Sequence, residues 1–145
     1  MQARWDKFVN LSYLTGHELK MEFALCALRL HSPRELRAEI ERIGGEETLR
    51  REQLAQGTFH TLKLEGIAPR LARFLYQELV LEGGQVVLPA RLKTRTEPVA
   101  VLLFGTQYQL QHLVVRLRTQ SDDELAWLAD ELESVLENQN DPTLF

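Results

Sequence analysis

Apolar residues in this 145-residue chain change period several times, from every second position to every third or fourth, and glycine pairs mark two of the changes. Leu19, Met21, Phe23, Leu25 and Ala27 alternate with Lys20, Glu22 and Ala24, which predicts a first strand running to Leu30. Ser32-Pro33-Arg34-Glu35 predicts a helix start, because Ser32 accepts from an orphan amide, Pro33 suits the first turn and Glu35 reaches back. That helix ends at Gly44-Gly45. Phe59 to Ile67 alternates again, with Leu62 and Leu64 against Lys63 and Glu65, and predicts a second strand with one wet face. Pro69 opens a helix striped by Leu71, Phe74, Leu75 and Leu79, closed by Gly83-Gly84.

Val86 to Leu92 reads as a third strand, and Lys93 to Pro98 as a hairpin link. Val99 to Phe104 is apolar throughout and predicts a central strand covered on both faces. Thr106 with Gln109, and Ser121 with Glu124, predict capping boxes for two last helices. Residues 5 to 14 place Trp5, Phe8 and Val9 at helical spacing and predict a short helix, while the polar stretch Glu46 to Gly57 carries no clear period. The expected fold is α/β (α+β), a two-layer sandwich with elements ordered β-α-β-α-β-β-α-α. Two crossovers of normal hand predict parallel pairing among the first three strands, giving a small mixed sheet of four.

The length suits one domain spanning 1–145, with 1–18 an N-terminal extension, 121–137 an acidic helix and 138–145 a tail. Hydrophobic content of 44% with 26% charged residues fits a globular chain, and no apolar run approaches the roughly 20 residues that span a bilayer. MQARWDKFVN lacks the apolar core of a secretory signal, so the expected location is cytoplasmic. Cys26 stands alone and reads as a buried strand residue. The net charge of −4 is uneven, since residues 121–145 hold eight acids and no Lys or Arg. The acidic helix is expected to lie over the chain's own arginines, or else to serve a partner surface.

Four further runs carry a resemblance: Glu35-Leu36 with Arg42-Ile43-Gly44, Leu62-Lys63-Leu64-Glu65-Gly66, Leu81-Glu82-Gly83-Gly84, and Leu102-Leu103-Phe104-Gly105-Thr106. In order and spacing, over roughly residues 23 to 120, they resemble the N-terminal accessory region ahead of the catalytic barrel in some bacterial dihydropteroate synthases. A (β/α)₈ barrel takes about 250 residues, so synthase activity does not carry over to this chain. The resemblance implies a non-catalytic interaction or small-ligand-sensing domain linked to folate metabolism. Its partners would be a folate-pathway enzyme or a second copy, and no cofactor is implied.

Residue chemistry agrees with a non-enzymatic reading without imposing it. His17, His31, His60 and His112 show no metal-ligand spacing, and His60 and His112 read as solvated. No nucleophile motif or phosphate loop occurs, and the acidic neighbours Glu46-Glu47 and Asp122-Asp123 read as solvated. The best ligand-binding candidates are two strand-to-helix turns, Lys63, Glu65, Gly66 and Arg70 at one and Gly105, Thr106 and Gln107 at the other. If their strands run parallel as neighbours, free amides and an arginine fork could hold a small anion in one crevice. The same residues serve equally as caps. Such a crevice is the basis of the alternative reading, a metabolite-binding protein or small enzyme. Arg91, Lys93 and Arg95, with Arg50-Arg51, Arg116 and Arg118, outline a basic surface for nucleic acid, but no aromatic residue interleaves them and the pI is 5.6.

Overall fold

The computed structural model describes residues 4–10, as backbone, and residues 22–139. The readings of residues 11–21 and of the tail beyond residue 139 lie outside them. Where one domain is expected, backbone contacts divide the chain into two units, Met1–Gly45 and Glu46–Phe145.

In the first unit β1 (Arg4–Asn10) and β2 (Ala24–Arg29) form an antiparallel ladder, from Arg4 opposite Arg29 to Asn10 opposite Ala24. This corrects the short helix expected around Trp5, Phe8 and Val9. A single helical turn is costly to nucleate, and a paired ladder outweighs three well-spaced apolar residues. Cys26 lies in β2 as expected, though half-buried. α1 (Pro33–Ile43) begins at the anticipated cap: Ser32 Oγ accepts from the Glu35 amide. The buried Glu35 carboxylate reaches back one residue further than expected, accepting from the His31 amide at 2.8 Å. Gly44 closes the helix in the left-handed region at φ 78°.

The second unit contains α2 (Glu47–Gly57), β3 (Phe59–Ile67), α3 (Pro69–Leu81), β4 (Gln85–Val87), β5 (Val99–Thr106), α4 (Gln107–Arg118) and α5 (Asp123–Gln139). The α/β class and the packing of helices against a small sheet are as expected; strand membership and direction differ. The sheet has the order β3-β5-β4, and both pairings are antiparallel. β3 and β4 are therefore parallel, joined by α3 as a strand-helix-strand crossover, but β5 lies between them. β2 pairs with β1 and not with β3, so the expected four-stranded mixed sheet becomes a three-stranded sheet and a separate two-stranded ladder. Periodicity identifies which face of a strand is buried and leaves its partner open, which is why the direction was misread.

β4 stops at Val87, well short of Leu92. Pro89 has no N–H for a ladder, and Leu92 is buried in a 3₁₀ turn, Leu92–Thr94, entered through Arg91 at φ 58°. β5 is central, as expected, but only one face is covered: Val99, Val101 and Leu103 are buried, whereas Leu102 and Phe104 are half-buried and Ala100 is exposed. On the uncovered face Phe104 lies 6.5 Å, ring to ring, from Phe59, which is 63% exposed.

The covered face joins Leu62, Ile67, Val86, Val101 and Leu103 to the leucine stripes of α3, α4 and α5 in one core. Leu75, Leu79, Leu103, Leu110, Leu113 and Leu117 are fully buried in the unit. Burial of this kind contributes about 1.5–3 kcal/mol per large aliphatic side chain, and it is what makes the second unit cohere. At Gly84 the α3–β4 turn passes so close to β5 that a Cβ would lie 2.7 Å from the Phe104 carbonyl oxygen. No larger residue fits there without a backbone shift.

Candidate functional site

The two turns singled out by sequence do not share a crevice. Since β3 and β5 are antiparallel, Gly105 faces His60 near the start of β3, while Gly66 sits at its far end, where a bulge separates Leu64 from Ile67. About 20 Å of strand lies between them. Nor are their polar groups available. At the α4 N-terminus the Thr106 amide donates to Gln109 Oε1 at 3.0 Å, the Gln109 amide to Thr106 Oγ1 at 3.1 Å, and the Gln107 amide to the Thr58 carbonyl at 2.7 Å. The capping box is thus present, and it uses the donors an anion would need. At the α3 N-terminus Pro69 has no N–H, and Arg70 makes an ion pair with Glu124 at 3.0 Å. Lys63 pairs with Glu65 at 3.0 Å on the exposed face of β3. Gly66 adopts φ 75° to turn the bulge.

Gln107 belongs to a buried polar corner with His60, which corrects the solvated position expected for that histidine. His60 is only 6% exposed, and its Nε2 lies 2.7 Å from Gln107 Oε1. Thr58 donates its hydroxyl hydrogen to the Leu54 carbonyl at 2.7 Å, which ties the end of α2 to the same corner. Along the strand His60 faces inward with Leu62 and Leu64, and its even spacing with those leucines was the signal that could have revealed its burial.

Two arginines of the expected basic surface, Arg116 and Arg118, are neutralised by carboxylates. Arg116 bonds Glu78 and Glu82, and Arg118 bonds Asp130 and Glu133 of α5. The hydrogen bond from Arg116 is the main cause of a Glu82 carboxyl held below its usual range, with the Arg116 and His112 charges adding to it. His112 sits 3.3 Å from Glu82 and 4.1 Å, ring to ring, from Tyr108, and is partly exposed as expected. The hydrogen bonds that the two arginines donate to their carboxylate partners raise both guanidinium pKa values. The acidic helix therefore does lie over the chain's own arginines, in part. Arg91, Lys93 and Arg95 cluster at the 3₁₀ turn, where Arg95 Nε donates to the Ala90 carbonyl at 3.1 Å. α5 is capped by Asp122, whose Oδ1 accepts from the Glu124 and Leu125 amides, and not by the Ser121 pair expected.

Hollows lie between α2 and α4 and between α4 and α5, but two more apolar ones adjoin the outer edge of β3. Among the described residues β3 pairs only with β5, so its other edge carries an unused row of amides and carbonyls. That edge opens on a groove against α5 made of two adjoining hollows. One, of about 340 Å³, is lined by Leu62, Leu64, Trp127, Leu132 and Val135 together with Glu131. The other, of about 520 Å³, continues past Gly66 and Ile67 to Pro98, Asp123 and Trp127. Trp127 borders both and is 62% exposed. Lys63, Glu65 and Gly66, named from sequence, line this groove; Trp127, Asp123 and Glu131 were missed. The signal was present: Trp127 lies off the stripe of Leu125, Leu128 and Leu132, a large apolar group on the polar side of its helix.

Groups of three or more His, Cys, Asp or Glu suited to a metal ion do not occur among the described residues. No helix among them is long and apolar enough to cross a membrane. Comparison with known proteins finds no family model, no curated protein and no solved structure that matches this chain.

Proposed function

We propose that the Glu46–Phe145 unit is a non-catalytic docking module whose binding element is the β3 edge and the groove beside it. The observation that carries this reading is a nine-residue edge strand whose free side opens on an apolar hollow walled by an exposed tryptophan. Extended segments bind such edges by adding a strand, with main-chain bonds giving affinity and side-chain hollows giving selectivity. The run of motifs similar to the accessory region of dihydropteroate synthases supports a cytoplasmic partner in folate metabolism, with a separate catalytic synthase the first candidate. Affinity capture with the whole chain and with Trp127→Ala tests both parts. The expected result is a folate-pathway enzyme retained by the parent chain and lost from the variant. A bound set without such an enzyme removes the folate link, and a bound set indifferent to Trp127 removes the groove.

A small-ligand reading draws support from the hollows themselves, whose size falls within the range of about 300–1,000 Å³ typical of metabolite sites. Thermal-shift screening with pterins, aminobenzoate and phosphorylated metabolites tests it, since a specific ligand raises Tm by mass action. No shift with any of them rules this reading out.

A further inference from the structure

The chemistry of the groove specifies what it takes, and this inference rests on the docking reading above. Asp123, Trp127, Glu131 and Val135 all line the groove, all are exposed, and each follows the last by four positions along α5. Four residues of α-helix advance about 6 Å. In an extended chain, side chains on the same side recur every 6.6 Å or so. α5 also runs antiparallel to β3: its Val135 end borders Thr61, and its Asp123 end borders Gly66 and Ile67. The two lengths agree, about 20 Å of strand against about 18 Å of helix. A strand laid along the β3 edge would therefore meet an acidic, an aromatic, an acidic and an aliphatic group in turn.

The charges are unbalanced in one direction. Among the described residues Lys63 is the only base lining the two hollows, against Glu65, Asp123, Glu124 and Glu131. Glu65 is paired with Lys63 and Glu124 with Arg70, while neither Asp123 nor Glu131 has an ion-pair partner among the described residues. A second copy of this chain placed across the edge would bring one acidic α5 against another, because residues 121–145 contain no Lys or Arg. Nucleic acid meets the same repulsion. We infer that the β3–α5 groove accepts an extended protein segment in which basic and apolar side chains alternate at every second position, the basic ones facing Asp123 and Glu131 and the apolar ones seated at Trp127 and Val135.

The test uses the whole chain and two labelled probe peptides. One repeats lysine-threonine-leucine-threonine, and the other carries glutamate in place of each lysine. Fluorescence anisotropy at low salt is expected to show the lysine peptide bound at least about tenfold more tightly than the glutamate peptide, with the preference fading as salt rises. The paired changes Asp123→Lys and Glu131→Lys are expected to reverse the preference, an outcome that a misfolded variant cannot produce. Trp127→Ala is expected to weaken both peptides, and hydrogen exchange to slow at alternate β3 amides between Thr61 and Glu65 when the lysine peptide binds. Equal binding of the two peptides by the parent chain, lost in Trp127→Ala, overturns the charge inference and leaves the docking reading standing. Binding of neither peptide overturns both, whereas dimerisation that Trp127→Ala abolishes overturns the inferred occupant and leaves the groove a docking surface.

Discussion

The start of β3 and its outer edge treat polar groups in opposite ways. At the start, His60, Gln107 and Thr58 lie within the fold and their side chains bond one another or nearby backbone, so that α2, β3 and α4 are fastened at one corner. Among the described residues the backbone row along the edge has no strand partner and Asp123 and Glu131 have no counter-ion, while Trp127 is largely exposed. A polar group buried without a partner costs about 1–3 kcal/mol, so the satisfied corner is what folding alone demands. Folding gains little from the exposed tryptophan or from Glu131, and from Asp123 only the modest benefit of an acid in the first turn of α5. That contrast separates a structural site from a candidate for binding, although the sequence marked the two alike.

The comparison breaks first if stability does not follow it. Leu103→Ala, at the centre of the core behind both regions, is expected to lower unfolding free energy by about 2–5 kcal/mol in urea titration. At the corner, His60→Ala leaves the Gln107 amide without its ring partner and is expected to cost about 1–3 kcal/mol. A loss below 0.5 kcal/mol would mean the corner is no fastening at all. Acid titration sharpens the picture on the α3–α4 side. The Glu82 carboxyl, held low by Arg116, contributes stability that is present above its unfolded value near 4.5 and is lost as pH falls through the lower folded value. Arg116→Gln is therefore expected to lower Tm at neutral pH and to flatten the acid limb below about pH 5, the two curves converging once Glu82 is protonated in both proteins. The smallest effect belongs to the groove: Trp127→Ala is expected to shift stability by no more than about 0.5 kcal/mol. A larger loss would make Trp127 a packing residue and weaken its role in docking.

Much of the local structure was legible in the residues. Phe59–Ile67 alternates cleanly and forms β3 with those bounds, and the Ser32 and Thr106 caps act on the amides their spacing implied. α2 was not legible because its only buried residues, Leu54 and Ala55, make no stripe; Glu, Arg, Gln and Leu give it helix propensity without a face. Strand pairing was not legible either. Alternation shows which side of β3 is buried, and nothing in it distinguishes β5 from β4 as a neighbour. The candidate site was half visible. Lys63, Glu65 and Gly66 were marked as strand-end residues, but the wall that completes the groove comes from α5, distant in sequence, and only tertiary packing brings it alongside.

The strand order has a further consequence for how the molecule is made. The middle strand of the sheet is the last to be synthesised, so β3 and β4 leave the ribosome with no neighbour to join until residue 106 has followed. The sheet then closes through distant pairings, which are slow, and through that interval β3 presents two bare sides to any nascent chain nearby. Lys63 and the Gly66 kink sit within that strand, where a charge and a bend discourage illegitimate partners during the wait.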